Sequence, residues 1–416
     1  MPAKQPVTRS QWLTLIGATA GWALDGFDFL LPNYVLLDIA REFHLSLTVA
    51  GTVVLAAFFS RWLGGAALGS MGDRLGRKVA MNLGVLTFSV ATFLCGFSWS
   101  YWSLIAFRLM VGLGMAGEYA AGTTLLVETW PASRRNRAAG IMVAGWGLGG
   151  FLAASAYTLI VPRCGWRALF FAGILPAFLT VFIRCFMPES PEWTAAKAAG
   201  ATRAISFFEI WKPRWLPLTL IILISTFALF GQQWPFLSLL PSYLRSIGYE
   251  SVQMGRIMSI ASFGSMLGYA FGGVLADWIG HKRSIVTLLL VSMALLFAAM
   301  SSGKADPVAS GPLMFALMFF AMGVAGVWPA YISSFFTVDI RSSGLGVTYN
   351  LGAIAGGLSP VWGGILQNSM GLGRALVALV GFWSAVLLIL VGCDIPALVA
   401  RKVNVPKALI EEVKRL

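Results

Sequence analysis

The sequence contains few charged residues. Only 11% of its 416 residues are charged, whereas 58% are hydrophobic, and soluble domains carry about 25% charged residues. A soluble fold of this length needs far more polar surface to cover its core, which excludes a soluble enzyme. The apolar residues are sufficient for about twelve membrane-spanning helices of roughly 20 residues each.

Histidine and cysteine are also scarce. The chain has two histidines, His44 and His281, and four cysteines that show no paired spacing. This leaves no material for a histidine-built metal centre or a disulfide framework, and no nucleophile–base constellation is present. We therefore expect no metal, no cofactor and no enzymatic activity.

Apolar segments bounded by glycine, proline and charged residues recur along the whole chain. They predict an all-α membrane protein of twelve transmembrane helices, at 11–37, 47–70, 79–98, 102–129, 138–161, 167–186, 215–240, 253–276, 284–301, 312–336, 343–368 and 374–393. The longest polar stretch, 187–214, predicts a cytoplasmic linker between an N-terminal half, 1–186, and a C-terminal half, 215–416.

Lysine and arginine are distributed unevenly between the two sides of the predicted bundle. If the N-terminus is cytoplasmic, the inner segments hold most of these residues and the outer segments only a few. Basic residues favour the cytoplasmic side, so both termini are predicted to be cytoplasmic. The net charge of +13 is then a property of inner loops, and we expect no nucleic-acid partner.

The two halves resemble each other in sequence. The string GSMGDRLGRK at 69–78 is echoed by GVLADWIGHK at 273–282, and the segment 137–140 by 341–344, both at an offset of 204 residues. The string ALDGFDF at 23–29 is echoed by ALFGQQW at an offset of 205. Six spans per half make this a parallel repeat, which encloses a site near the middle of the membrane.

Ionisable residues inside predicted spans are the sharpest functional signal, because burying a charge in a membrane is costly. Five such residues lie in the N-terminal half: Asp25, Asp28, Arg61, Arg108 and Glu118. The residues at the positions related by the repeat to Asp25, Asp28, Arg61 and Glu118 are neutral: Phe230, Gln233, Ser265 and Val327. A purely structural need for charge would apply to both halves, so we interpret these residues as functional.

Three of the five residues are carboxylic acids and two are arginines, so the arginines can neutralise at most two acids. The third acid is left without an arginine partner, and if water does not surround it, its neutral, protonated form is favoured. Asp25 and Asp28 also lie three residues apart on one helical face, where two like charges favour one shared proton. We predict that Asp25, Asp28 and Glu118 carry the proton. The alternative is that an aspartate caps a helix break near Gly26 or pairs with an arginine.

Arg61 lies near the middle of its span and is predicted to bind an anionic substrate, because a guanidinium binds a carboxylate through two parallel hydrogen bonds. Arg108 is the second candidate, although it can instead be held within the N-terminal half. Neutral polar and aromatic residues are predicted to contact the rest of the substrate: Tyr119, Gln232, Gln233, Trp234, Tyr349 and Asn350. The alternative for them is hydrogen bonding between helices.

The segment 69–78 resembles the loop signature of the major facilitator superfamily, and 273–282 matches that signature in part. The resemblance implies a conformational gating role for Gly69, Gly72, Asp73, Arg74, Gly76, Arg77 and Asp277. We expect Asp73 to cap the helix that follows the loop. The alternative is a loop that only anchors the topology. PESPEW at 188–193 resembles the motif that ends the sixth helix of sugar-porter-like members, with Glu189 and Glu192 in structural roles.

Longer strings in both halves resemble the sialate:proton symporter family, among them LDGFDF at 24–29, GLGMAGEY at 112–119 and GLGVTYNLGAIAGG at 344–357. The resemblance implies uptake of a sugar acid, with sialic acid first, together with a proton across a bacterial inner membrane by alternating access. The expected partners are this small anion, a proton and membrane lipid, and the carrier is expected to be a monomer.

One feature departs from the archetypal sialic acid symporter, which carries two extra hydrophobic segments between its halves. The stretch 187–214 has no room for them, so the substrate can differ. A proton-coupled monocarboxylate or other organic-acid permease is the first alternative, followed by an exporter and by a membrane sensor that does not transport.

Overall fold

The computed structural model describes residues 7–130, 135–178, 209–301, 307–336 and 341–403, with the single positions 182, 186, 189, 194 and 303. Within these helices some side chains are not described, among them those of Glu118 and Tyr119. All regular structure in the described part of the chain is helical.

Six helices and a short 3-10 turn at Ala172–Ile174 form the described N-terminal half. They are α1 (Arg9–Tyr34), α2 (Leu36–Glu42), α3 (Leu47–Leu75), α4 (Arg77–Cys95), α5 (Tyr101–Thr129) and α6 (Arg135–Phe171). α1 begins after Thr8, whose side chain caps the helix reciprocally with Gln11. α6 is interrupted at Gly165, where φ is 75°, a conformation that glycine adopts without strain.

A 3-10 turn at Glu209–Trp211 lies within the predicted linker, and the helices of the C-terminal half follow it. These helices are α7 (Leu216–Ser238), α8 (Leu240–Ser246), α9 (Ser251–Ile279), α10 (His281–Ser301), α11 (Pro307–Ser333), α12 (Arg341–Gly352), α13 (Ile354–Met370), α14 (Leu372–Gly392) and α15 (Ile395–Lys402). α7 contains Pro235, which lacks an N–H group, and ends one turn later.

The internal repeat recurs in the helix boundaries. The break between α1 and α2 at Val35 and the break between α7 and α8 at Leu239 are 204 residues apart. α3 and α9 have 29 residues each and begin at the same offset. The loops that follow α3 and α9 each place a glycine at positive φ, 114° at Gly76 and 84° at Gly280. The repeated sequence therefore specifies repeated backbone geometry.

Eleven of the twelve predicted spans coincide with described helices or helix pairs, and most of the sixth, 167–186, lies outside the described residues. Within the described chain, eight helices are long and apolar enough by themselves to cross a membrane. α1 is not among them, and it carries Asp25 and Asp28. The arrangement agrees with the expected all-α fold of twelve membrane helices.

The two halves meet along two helix pairs, α3 with α13 and α6 with α9. Glycines bring backbones together there: a Cβ atom at Gly51 would lie 2.9 Å from the carbonyl carbon of Pro360, and one at Gly364 would overlap the backbone of Thr48. These contacts lie toward the end of the bundle where α1 ends and α3 begins, here called the distal end. At the opposite, proximal end, Trp130 Nε1 donates to the Gln11 carbonyl oxygen at 3.0 Å.

Candidate substrate cavity

An open cavity lies between the two halves, with about 590 Å³ of empty space that includes the adjoining solvent. Among the described residues that line it, Arg61 is the one charged side chain. The lining residues are Trp22, Arg61, Val143 and Trp146 from the N-terminal half and Phe230, Gln233, Trp234, Leu237, Tyr269, Ala325, Pro329 and Tyr349 from the C-terminal half.

Arg61 reaches the cavity from α3 and is 2% exposed. The preceding residue, Ser60, donates a hydrogen bond of 2.7 Å to the Leu109 carbonyl oxygen of α5, which fixes this turn of α3. The Arg61 guanidinium carbon lies 6.0 Å from the ring centre of Trp22. Its Nε and Nη2 atoms have no hydrogen-bond partner within the described chain. A guanidinium with unused donors in an aromatic wall can bind a carboxylate or stay paired with a protein acid.

Asp25 of α1 is the acid that interacts electrostatically with Arg61. It is fully buried, and neither carboxyl oxygen has a hydrogen-bond partner among the described residues. No ion pair within 4.0 Å joins the described side chains of Asp25 and Arg61. The two groups are therefore close enough to influence each other without neutralising each other by direct contact.

Asp28 belongs to a second polar cluster, formed with Thr92 of α4 and Arg108 of α5, and none of the three lines the cavity. Arg108 Nε donates to the Val53 carbonyl oxygen at 3.3 Å, while both Nη atoms and both Asp28 carboxyl oxygens lack partners among the described residues. A Cβ atom at Gly173 would lie 3.1 Å from Asp28 Oδ1, so this glycine leaves room for the carboxyl group.

The two aspartates thus have different arginines as electrostatic partners, Arg61 for Asp25 and Arg108 for Asp28. They also interact with each other. That they share one proton stays a prediction, and the geometry adds that one acid is linked to the cavity and the other to the interior of the N-terminal half.

Three of the polar and aromatic residues predicted in the C-terminal half line the cavity: Gln233, Trp234 and Tyr349. Gln233 donates through Nε2 to the Ala321 carbonyl oxygen at 3.3 Å. Trp234 packs edge to face on Phe58 of the N-terminal half, with ring centres 4.7 Å apart. These residues therefore join the predicted anion site across the boundary between the halves.

The other two predicted residues of this half lie outside the cavity lining. Gln232 is fully buried, and neither its Nε2 nor its Oε1 atom has a partner within the described chain. Asn350 donates to the Gly346 carbonyl oxygen one turn earlier, at 2.8 Å. Neither side chain contributes to the cavity in this conformation.

Several lining residues were not predicted from the sequence, notably Trp22, Trp146 and Tyr269. Trp22 stands one turn before Asp25 on α1, and Trp146 lies in the glycine-rich stretch of α6 that packs on α9. Helical spacing from the predicted acid could have indicated Trp22. Tyr269 has no such signal, since it stands at the repeat position of Gly65.

The side chains of some predicted site residues are not described, so the roles of these residues stay predictions. They are Gly69, Gly72, Asp73, Arg74, Arg77, Glu118 and Tyr119. Asp277, from the second loop, is exposed. The prediction that Asp73 caps α4 is wrong: α4 begins after Gly76 without a side-chain cap, and Asp73 lies in the last turn of α3. The helix extends further along the loop than the glycine pattern indicated.

Glu189, predicted to be structural, lies at the start of α4. Its carboxyl oxygens accept hydrogen bonds from the backbone N–H of Lys78, at 3.3 and 3.4 Å. A carboxylate favours this position because the first turn of a helix has unsatisfied N–H groups and a partial positive charge. Glu189 of the PESPEW segment therefore contacts the end of the loop at 69–78.

At the distal end, two acidic residues of α2, Glu42 and Asp38, lie outside the candidate membrane spans. Glu42 pairs with Arg167 and accepts a hydrogen bond from Trp166 Nε1 at 2.6 Å. Partial burial opposes ionisation, but the bonds from Arg167 and Trp166 outweigh it and hold the pKa of Glu42 below its ordinary range. Burial raises the pKa of Asp38, and Arg245 of the other half opposes that rise.

The described residues contain no group of three or more histidine, cysteine, aspartate or glutamate side chains that could hold a metal ion. The chemistry available in the cavity is therefore that of a cation among aromatic, amide and phenol groups. It suits an organic anion with an apolar or hydroxylated body.

Comparison with known proteins identifies the family of this chain and its relatives. A family model described as Major Facilitator Superfamily matches residues 12–360. The chain is 36% identical to the sialic acid transporter NanX of Escherichia coli strain K12 over 390 residues, covering 94% of this chain and 96% of that protein. It is 26% identical to the niacin transporter NiaP of Acinetobacter baylyi, covering 86% and 87% of the two chains.

The fold also matches solved structures. The xylose transporter XylE from E. coli, in a partially occluded inward-open conformation, superposes with a TM-score of 0.74 at 16% identity, covering 92% of this chain and 97% of that one. At this identity the similarity establishes the architecture.

Proposed function

The chain belongs to the Major Facilitator Superfamily, and from that premise we propose that it imports an anionic sugar acid together with a proton by alternating access, with sialic acid as the first substrate to test. The position of Arg61 is the observation that carries this proposal. It is the one cation lining the described cavity and has donors free to bind a carboxylate. The similarity to a sialic acid transporter over 94% of the chain supports the substrate class.

Proton coupling is supported by the buried acids. Asp25 and Asp28 are fully buried without hydrogen-bond partners in the described chain, and an ionised carboxylate in that setting is costly unless it is neutralised. When the substrate carboxylate binds Arg61, Asp25 loses the attraction of that guanidinium and gains a nearby negative charge. Protonation of Asp25 then becomes more favourable, so substrate and proton bind together.

Release follows from the same coupling in reverse. Loss of the proton to the cytoplasm restores the negative charge of Asp25, which competes with the substrate for Arg61. Asp28, and Glu118 by the sequence prediction, serve as further proton sites. Gln233, Trp234 and Tyr349 contact the substrate body, with Gln232, Asn350 and Tyr119 as additional contacts in other conformations.

The orientation proposed from the basic residues places the proximal end in the cytoplasm and the distal end outside, in a bacterial inner membrane. The two halves touch toward the distal end at Gly51 and Gly364. This conformation therefore corresponds to a carrier closed to the outside. Rocking of one half against the other would open that end, while the loops at 69–78 and 273–282 act as gates on the cytoplasmic side.

The test is uptake of radiolabelled sialic acid into proteoliposomes under an imposed pH gradient. We expect accumulation only when the outside is more acidic, and competition by unlabelled sialic acid. Equal accumulation without a gradient would overturn proton coupling, and indifference to sialic acid would overturn the substrate assignment.

A flat organic acid is the second candidate. Trp22 and Trp146 bring their ring centres within 5.0 Å of each other at the cavity wall, and indole faces stack well on planar rings. The similarity to a niacin transporter points the same way. Competition of the labelled uptake by niacin, lactate, pyruvate and glucuronate separates these classes in one experiment.

A further inference from the structure

The polar groups of the cavity are divided between the two halves. The N-terminal half contributes Arg61, and the C-terminal half contributes Gln233, Tyr269 and Tyr349. An acid whose carboxylate binds Arg61 must turn the rest of its body toward the C-terminal half. The polar groups of that half are therefore placed to select among different acids.

Tyr269 of α9 has a hydroxyl group with only a weak partner among the described residues. Its hydroxyl donates to the thioether sulfur of Met322 at 3.5 Å, and a thioether is a poor acceptor. Gln233, in contrast, donates through its amide to a backbone carbonyl oxygen. A ligand hydroxyl can replace the sulfur contact of Tyr269 at little cost.

The backbone around Tyr269 is rigidly placed. A Cβ atom at Gly326 of α11 would overlap the Tyr269 carbonyl oxygen, and one at Gly268 or Gly272 would overlap α11 in the same way. Small residues at such spacing let two membrane helices pack backbone to backbone. Tyr269 thus projects into the cavity from a fixed position, which lowers the entropic cost of binding.

We propose that Tyr269 is a specificity-determining residue of this cavity: its hydroxyl hydrogen-bonds a hydroxyl group on the body of a sugar acid whose carboxylate is held by Arg61. The residue selects hydroxylated acids over acids that lack the matching hydroxyl. This assignment rests on the proposed function.

The test measures binding of sialic acid and its single-position deoxy analogues to the purified protein. Tryptophan fluorescence is the readout, because Trp22, Trp146 and Trp234 line the cavity. In the unsubstituted protein we expect one deoxy analogue to bind about 3- to 10-fold more weakly than sialic acid, as for loss of one neutral hydrogen bond. In Tyr269→Phe, we expect the affinity for sialic acid to fall by the same factor, whereas the affinity for that deoxy analogue should stay the same.

Tyr249→Phe is the matched control. The Tyr249 hydroxyl lies 2.9 Å from Ser310 Oγ, and neither residue lines the cavity. This variant should keep the full discrimination between sialic acid and the analogue. If Tyr269 had only a structural role, Tyr269→Phe would lower the affinity for all ligands by the same factor.

Two results would overturn the assignment and are distinguishable. If the unsubstituted protein does not bind sialic acid, the proposed substrate fails and the assignment fails with it. If it binds sialic acid but Tyr269→Phe retains the discrimination or weakens every analogue by the same factor, only the role of Tyr269 is refuted.

Discussion

The two halves of this carrier share helix boundaries and differ in charge. In the described N-terminal half, Asp25, Asp28, Arg61 and Arg108 are buried, whereas no aspartate, glutamate, lysine or arginine is buried in the described C-terminal half. Two halves with the same helix boundaries can therefore differ in the charge of their buried side chains. Under the proposed function, one half supplies the buried ionic groups and the other half supplies neutral recognition and a packing partner.

The pair of helices α3 and α9 shows this division most directly. Arg61 of α3 corresponds to Ser265 of α9, whose hydroxyl bonds to the Ser262 carbonyl oxygen at 2.8 Å. One turn further, Gly65 of α3 corresponds to Tyr269 of α9. The repeat thus places a guanidinium on one helix and a phenol on the other, at positions displaced by one turn.

The largest effect is expected from removing the guanidinium geometry. Arg61→Lys keeps the positive charge but cannot form two parallel hydrogen bonds to a carboxylate, so we expect substrate affinity to fall about 30-fold or more and uptake to be lost. Isothermal titration of the purified variant checks this. Arg256→Lys on the exposed face of α9 should bind normally, and unimpaired transport by Arg61→Lys would contradict the assigned role.

The next effect concerns energy coupling. Asp28→Asn replaces a buried acid with a neutral amide, the same chemical group that Gln233 has at the repeat-related position of the C-terminal half. We expect this variant to lose accumulation driven by a pH gradient while retaining exchange of labelled for unlabelled substrate, because exchange needs no net proton movement. Proteoliposome uptake and counterflow distinguish the two activities.

Glu250→Gln is the control for Asp28→Asn, since Glu250 is an exposed carboxylate at the start of α9 and its replacement by an amide should not affect accumulation. Normal accumulation by Asp28→Asn would show that Asp28 is not required for coupling and would leave Asp25 as the coupling acid.

A smaller effect is expected where the halves touch. Gly364→Val adds bulk against the backbone of Thr48, and overpacking costs about 1–3 kcal/mol. Opening of the distal end relieves this clash, so the open population should rise about 5-fold or more. The readout is labelling of Asn33→Cys, a position that is fully buried here, by a membrane-impermeant maleimide.

Gly381→Ala is the control for this substitution, because an added Cβ there meets its nearest atom only at 4.0 Å. Its labelling rate should equal that of the parent protein. An unchanged rate in Gly364→Val would show that this contact does not resist opening.

The smallest effect concerns the distal surface. The pKa of Glu42 is lowered in the folded protein, so its ionised form stabilises the fold above the ordinary glutamate value of 4.5, and this contribution is lost as the pH falls through the lowered pKa. The pair is partly exposed, so Glu42→Gln should lower the melting temperature at pH 7 by only about 1 °C. Thermal melts at pH 7 and at pH 3 should differ less in the variant than in the parent.

Local sequence patterns were sufficient for the architecture. Eleven of the twelve predicted hydrophobic spans coincide with described helices or helix pairs, and the offset of 204 residues recurs in the breaks at Val35 and Leu239. Such features depend on residues close together in the chain. The Asp73 cap of α4 was mispredicted because α3 extends through Asp73 to Leu75, and Gly76 is the residue that precedes α4.

The sequence by itself determined that this protein is a helical membrane protein with repeated halves and with its ionisable span residues in one of them, because hydrophobicity, repeated strings and residue identity are read directly along the chain; the family resemblance added that it is a carrier. Only the tertiary structure decided that Asp25 interacts with Arg61 and Asp28 with Arg108, that Glu189 lies on the start of α4, and that Tyr269 lines the cavity. Those relations depend on how each helix is rotated and where it packs. Contacts between residues far apart in the chain, such as the glycine contacts of α3 with α13 and α9 with α11, set that packing.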